Sequence, residues 1–352
     1  MSAISRMSLV GSLATLVVAS AFWLAPLTSA QAESADKLLP PESLIVLHLN
    51  LQQVQKSQLF KKYVSKELRK ALRDSEDLQK FEEATGIDIL QDLHTVSLIF
   101  TKLPKQIDPA NPRDVDPKDL EVLVIVRGEF AKDGVVRAMK KSDRLTSRRY
   151  QGHDIFVTKS EDEDDQPAFI CVAEDGLILV SNNRIRLQKS LDAMSEESTP
   201  KGISRELQAV IKAIPERQTL WLAMGNLPLL KNLAQNDPNA ADLLDKFAGM
   251  SLSIGVEDKI KINLRAHGTD ADAAREFRAG FDKLRGFLAL TATQDPNVGP
   301  LVQDILNSLK TGQKGTIASL ELELDEEVIK KIAQTIQAVL GGAAARPGRQ
   351  ID

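Results

Sequence analysis

Aromatic side chains are scarce in this sequence, with two Trp, two Tyr and eleven Phe among 352 residues. Any core must rest on Leu, Ile, Val and Ala with a few Phe. Cysteine is scarcer still. Cys171 stands alone, which excludes an intrachain disulfide. It lies in the apolar run AFICVA and reads as a small buried hydrophobe rather than a reactive thiol. Histidine is limited to His48, His94, His153 and His267. None stands in HExxH or another paired ligand spacing, so a zinc site would need remote assembly. The phosphate loop GxxxxGK[ST], the GxGxxG fingerprint and the GxSxG elbow are all missing. No Asp/Glu pair is singled out by spacing as an acid and a base. An excess of positive charge is also lacking, since 45 Lys and Arg face 49 Asp and Glu, a net of −4. Nothing in that balance points to a nucleic acid partner. No cofactor is expected.

What is present begins with an N-terminal segment, residues 1–32, that has the layout of a secretory signal peptide. Arg6 is its only charge, an apolar run extends from Met7 to Leu27, Pro26 interrupts that run, and Ala30-Gln31-Ala32 gives a small-x-small cleavage pattern. The rival reading is an uncleaved anchor, since about 20 apolar residues can span a bilayer. Cleavage would take the net charge from −4 to −5. No later run is long and apolar enough to cross a membrane, so no stable transmembrane segment remains after cleavage.

Beyond this segment a cassette of two strands and an amphipathic helix occurs twice. The first copy is TVSLIFTK (Thr95 to Lys102), EVLVIVRGEF (Glu121 to Phe130) and KDGVVRAMKK (Lys132 to Lys141). The second is MSLSIGVED (Met250 to Asp258), KIKINLRAHG (Lys259 to Gly268) and DADAAREFRAGFDKL (Asp270 to Leu284). A leading strand and helix precede each copy, at Ser43–Leu51 and Thr219–Gly225, and a strand and helix close each half. Ser43–Leu51 is continuously apolar, which predicts burial on both faces. One helix is expected from Val54 to Leu72, and another from Ser75 that Gly86 stops in a left-handed cap. After the cassette helix come strands at His153–Lys159, Ala168–Ala173 and Leu177–Ser181. The helix Asn183–Met194 follows, with Ser181 or Asn182 as its cap. SEESTPKG (Ser195 to Gly202) reads as a linker.

In the second half Ile260, Ile262 and Leu264 alternate with Lys261, Asn263 and Arg265, as do Leu320, Leu322 and Leu324 with Glu321 and Glu323. Such alternation predicts one buried and one wet face. Thr269 is expected to cap a helix whose Phe277, Phe281, Leu284 and Leu288 form one stripe. Burying each contributes about 1.5–3 kcal/mol, so that helix should dominate the second core. Val298–Leu309 reads as a helix, and Asp325 as the cap of the last one.

Two charged stretches belong to the first half alone. Glu161 to Asp165 is an unbroken acidic run without the glycine or spacing of a calcium loop, and reads as a solvated hairpin loop. Arg137, Lys140, Lys141, Arg144, Arg148 and Arg149 form a basic stretch, a candidate anion or partner patch. A Pro-rich stretch with Pro104, Pro109, Pro112 and Pro117 reads as an exposed loop.

Three segments carry a resemblance: LPPESLIVLHLNLQQVQKSQLFKKY, FEEATGIDILQDLHTVSLIF and EDGLILVSNNRIRLQKSLDAM. They are similar to exported bacterial proteins of a domain family of unknown function. The resemblance implies an exported α+β protein and supplies no catalytic residues. The lipid-acceptor Cys of lipoprotein-like relatives is missing here.

The expected architecture is α+β, two similar domains at 38–198 and 199–340, each an antiparallel-rich sheet covered by helices on one face, with a disordered tail at 341–352. The expected function is a non-catalytic binding or interaction protein of the cell envelope, exported to the periplasm or beyond, whose partner is an unknown protein or small ligand. One alternative is a small-molecule or lipid-binding protein with an inter-domain pocket. The other is an enzyme lacking recognisable motifs.

Overall fold

Period-two aliphatic strands make one sheet of this chain. The computed structural model describes residues 38–104, 117–159, 166–194, 202–225, 238–292, 299–332 and 334. The signal-like segment, most of the Pro-rich stretch, the acidic run, the linker core at 195–201 and the tail lie outside them. The strands are β1 (Ile45–Asn50), β2 (Leu93–Lys102), β3 (Glu121–Gly128), β4 (Leu145–Tyr150), β5 (His153–Thr158), β6 (Phe169–Glu174), β7 (Leu177–Ser181), β8 (Leu220–Gly225), β9 (Phe247–Val256), β10 (Ile260–Gly268), β11 (Leu309–Lys314) and β12 (Ile317–Leu324). They form one twelve-stranded sheet in the order β11-β12-β10-β9-β8-β1-β2-β3-β7-β6-β5-β4. Every pairing is antiparallel. The chain is thus a mixed helix and antiparallel-sheet protein. The β1–β8 pair joins the strands of the first half to those of the second.

The helices are α1 (Leu51–Gln55), α2 (Gln58–Tyr63), α3 (Ser65–Arg73), α4 (Glu76–Thr85), α5 (Lys132–Lys141), α6 (Arg184–Asp192), α7 (Arg205–Lys212), α8 (Pro238–Asp245), α9 (Ala271–Ala292) and α10 (Gly299–Ser308). Residues 326–332 are also helical. The single helix expected from Val54 to Leu72 is instead three short ones. Asn50 Oδ1 caps the first and Ser57 Oγ the second, accepting from the Gln53 and Phe60 amides. The backbone of Ser57 is extended, with φ −67° and ψ 137°, so no helix continues through it. Gly86 stops α4 as expected, at φ 73°.

Two further caps differ from expectation by one residue. Asn183 Oδ1 caps α6 by accepting from Ile185 and Arg186. Ser181 and Asn182 are engaged elsewhere, with Ser181 Oγ donating to Val122 O and Asn182 Oδ1 accepting from Val122 N. Asp270, not Thr269, caps α9 through Ala273 N at 2.8 Å. Asp325 caps the last helix through Val328 N, as expected.

Helices cover both faces of the sheet, which corrects the one-face expectation. On one face Val46, Ile99, Leu123, Ile125, Cys171 and Leu179 pack beneath α6 and α7 through Leu187, Leu191, Leu207 and Val210. On the opposite face Val96, Leu98, Val126, Val172 and Ile178 meet Ile87 and α5 Val135. Leu49 and Leu220 meet Val54 and Phe60 there. Ile99 and Leu98 are neighbours on β2 yet belong to different clusters, as alternation requires. We call these the α6/α7 face and the α5/α9 face. β1 is buried on both faces, through Val46 and Leu49.

The second core is smaller than expected. α9 buries Ala273, Ala274 and Phe277 against Phe247, Ala266 and Ala318. Farther along, Phe281 is half-buried, Leu284 is 47% exposed and Phe287 is 62% exposed. The stripe continues past the part of the helix that meets a buried core.

The turn between β6 and β7 knits the first half together. Gly176 (φ 71°) donates to Phe130 O and accepts from Gly128 N. The neighbouring Asp175 carboxylate accepts from Lys132 N, capping α5 from outside its own chain segment. A Cβ on Gly176 would lie 2.3 Å from Gly128 O. Gly176→Ala should therefore cost about 2–4 kcal/mol, combining left-handed strain with a backbone clash. Gly152→Ala shares the positive φ but meets open space, so it should cost only about 1–2 kcal/mol. Urea midpoints of the two variants check the difference. Equal losses would remove the clash from the account.

Candidate functional site

The basic stretch folds into two adjoining elements. Arg137, Lys140 and Lys141 lie on α5, and Arg148 and Arg149 on β4, with Arg144 just before it; all six are exposed. β4 was not expected as a strand. It is made by a two-residue hairpin, Gln151-Gly152, whose residues have φ of 45° and 83°. Such a loop supplies the left-handed pair that matches strand twist. The dipeptide Gln-Gly at 151–152 is the sequence signal that could have revealed it.

The hairpin register sets where each side chain goes. Arg149 pairs with Asp154 and Arg148 with Ile155, so the two arginines face opposite sides of the sheet. Lys140 Nζ reaches Asp154 at 2.7 Å, which ties α5 to the Arg149 side. That hydrogen bond holds the Asp154 carboxyl below its ordinary value, helped by the charges of Lys140 and Arg149. On the other side Tyr150 OH donates to Asp192 on α6 at 2.8 Å, which raises the phenol's pKa. The β4–β5 hairpin is thus pinned from both faces, through Asp154 of β5 on one and Tyr150 of β4 on the other. Among the described residues no carboxylate lies within ion-pairing distance of Arg137, Lys141, Arg144, Arg148 or Arg149.

The other candidates do not assemble. His48 lies on β1, His94 on β2, His153 on β5 and His267 on β10. Among the described residues no three His, Cys, Asp or Glu are placed to hold a metal ion. His48 Nδ1 shares a hydrogen bond with Ser97 Oγ at 2.8 Å, and its ring stacks on Trp221 at 5.1 Å. Burial and the nearby Arg127 charge lower its pKa to about 4. His267 is buried on β10, with Nε2 unpartnered among the described residues, and burial lowers it to about 4 as well. His94 meets Glu129 at 3.3 Å. Cys171 is fully buried, and burial pushes its thiol up to about 11. It is a packing residue.

Two charged clusters escaped the sequence reading because their members are remote in sequence. Glu326 accepts from Lys62 Nζ and from Tyr63 OH at 2.7 Å, joining α2 to the last helical stretch. The Lys62 and Tyr63 hydrogen bonds hold its carboxyl at about 2. Glu42 receives Arg186 and Lys189 of α6 at 2.6 and 2.9 Å. Both are clasps between elements. A shallow polar hollow of about 330 Å³ lies between α10 and the end of β12, lined by Asp304, Ser308, Glu323 and Lys331. Lys331 is bound there to Asp304 at 2.8 Å.

The model of a family described as "protein of unknown function (DUF3352)" matches residues 4–303. The chain belongs to the DUF3352 family. That agrees with the uncharacterised family the sequence suggested. No curated protein matches this DUF3352 chain. Solved structures of TP0453 resemble it, in crystal form III with 11% identity, a TM-score of 0.43 and coverage of 86% of this chain and 97% of that one. Crystal form IV gives 10% identity, a TM-score of 0.43 and coverage of 89% and 98%. The likeness is too slight to carry an argument about function. Among the described residues, no helix of this family member is long and apolar enough to cross a membrane.

Proposed function

We propose that this chain is an exported, non-catalytic binding or interaction protein of the cell envelope, built from two similar α+β units at 38–198 and 199–340. The observation that carries the binding reading is the exposed basic patch. Among the described residues, five exposed cations with no carboxylate within ion-pairing distance lie on or beside the edge hairpin β4–β5, which α5 and α6 hold in place. A patch used only for solubility would not need that pinning from both faces. The repeat is supported by strand order. Outward from the β1–β8 seam the order is β1-β2-β3-β7 on one side and β8-β9-β10-β12 on the other, with α5 and α9 each following a third strand. Export rests on the layout of residues 1–32.

A second reading has its own observation. On the α5/α9 face Leu222, Leu252, Ile254, Ile262, Leu264 and Leu322 form a continuous aliphatic floor that is only half-buried. A small apolar ligand lying on that floor would gain about 25 cal/mol for each Å² of apolar surface it covered.

Native purification from the exporting cell, followed by mass spectrometry of the intact complex, tests both readings. The expected result is a co-purifying envelope protein and a chain beginning near Glu33. A bound apolar small molecule would favour the second reading. A bare monomer retaining residues 1–32 would overturn the proposal.

A further inference from the structure

We infer that the β4 edge binds an extended acidic peptide as an added strand. This rests on the binding-protein reading above and names the partner's chemistry. β4 ends the sheet order, so among the described residues it has a neighbour on one side only. Its register shows which backbone groups are free. Tyr150 pairs with His153 across the two-residue loop, and Arg144 O accepts from Lys159 N at 2.9 Å. Even-numbered positions of β4 therefore bond to β5, and the amides and carbonyls of Ser147 and Arg149 and the carbonyl of Leu145 point outward, while Leu145 N donates to Ser142 O at 3.3 Å.

An open row of this kind is a template for strand addition. Charge selects the guest. Arg149, with Arg137 and Lys141 on α5, supplies cations on one side of the edge, and Arg148 supplies one on the other. Arg144 adds another just before the strand. A strand bearing Glu or Asp would meet an exposed cation on either side, while a basic or neutral strand would gain only the backbone bonds. The opposite edge of the sheet differs. There Thr311 Oγ1 donates to Asp282 and Gln313 Nε2 to Ala271 O, so α9 engages the side chains of β11.

Ser147→Pro separates strand addition from charge. It removes an outward N–H and no bond to β5, and it leaves every cation in place. The probe is a fluorescein-labelled heptapeptide, acetyl-Glu-Val-Glu-Val-Glu-Val-Glu-amide, followed by anisotropy with the full chain at 50 mM salt. Binding should weaken at least tenfold in Ser147→Pro and in the double variant Arg148→Glu/Arg149→Glu, and the Lys-for-Glu peptide should not bind. N-methylating alternate amides of the probe should abolish binding to the unaltered protein, a readout that does not depend on any variant folding. Equal binding of the N-methylated probe, or no binding of the acidic probe, would overturn the inference. If the double variant still captured the same envelope partner as the wild type, this edge would be excluded and the binding-protein reading would stand.

Discussion

Lowering the pH from 7 to 5 should destabilise the fold by about 4 kcal/mol, before most carboxylates begin to titrate. His48 and His267 both sit at about 4 in the folded protein, lowered by burial and by the charges of Arg127 and Arg265. In the unfolded chain each returns to about 6.5. The unfolded state therefore takes up protons first. The stability these two groups contribute is complete above pH 6.5 and is lost as the pH falls toward 4. At pH 5 each histidine accounts for about 2 kcal/mol of loss. The acidic clasps act in a lower window, since Glu42, Asp154 and Glu326 are all held below the ordinary carboxylate range. Urea denaturation at pH 7, 6 and 5 reads the effect. His48→Phe, which keeps a ring to stack on Trp221, should halve the drop. An unchanged drop in that variant would remove His48 from the account.

The interior of the fold was legible in the sequence because its strands are aliphatic or strictly alternating. β1, β3, β7, β8, β10 and β12 fall within a few residues of where the pattern places them. The two strands that escaped notice, LTSRRY of β4 and LKTGQK of β11, are the two ends of the sheet. An edge strand has one neighbour and little to bury, so its residues are polar and carry no period. Patterning also cannot say on which face of a sheet a helix lies. The stripe of α7 and the stripe of α5 look alike, yet Leu207 and Val135 pack on opposite faces. For the same reason the sequence could suggest a buried β1 without saying that β8 would be its partner.

The candidate site was half legible. The six basic residues stand out as a run, but a run carries no geometry. Their meaning changed once the hairpin at Gln151-Gly152 turned Arg148 and Arg149 to opposite faces of the last strand in the sheet order of the described residues. Gln151 adopts φ 45° without being glycine, so the usual Asn-Gly or Gly-Gly turn signal was missing. The Lys62–Glu326 and Arg186–Glu42 clasps were illegible for a simpler reason. Partners so far apart in sequence meet only when the sheet has set the distance between their helices.

Trp221→Ala should be the most damaging single change, costing about 3–5 kcal/mol. Trp221 is 8% exposed near the start of β8, and its indole stacks on His48 with an interplanar angle of 23°. The two residues are direct partners in the β1–β8 register, the seam where first-half strands meet second-half strands. Removing the indole takes away the largest side chain at that seam and opens a path for water to the imidazole beside it. Hydration raises the His48 pKa toward its ordinary value, since burial is the main cause of its depression. The variant should therefore be less stable at pH 7 and lose less further stability at pH 5 than the wild type. Trp221→Phe keeps an aromatic face on His48 and should retain most of the pH dependence. The discriminating measurement is the pH 7 to pH 5 difference in unfolding free energy for the three proteins. If Trp221→Ala lowered stability equally at both values and kept the wild-type difference, the indole would be a packing residue alone and the imidazole would owe its dry surroundings to other neighbours.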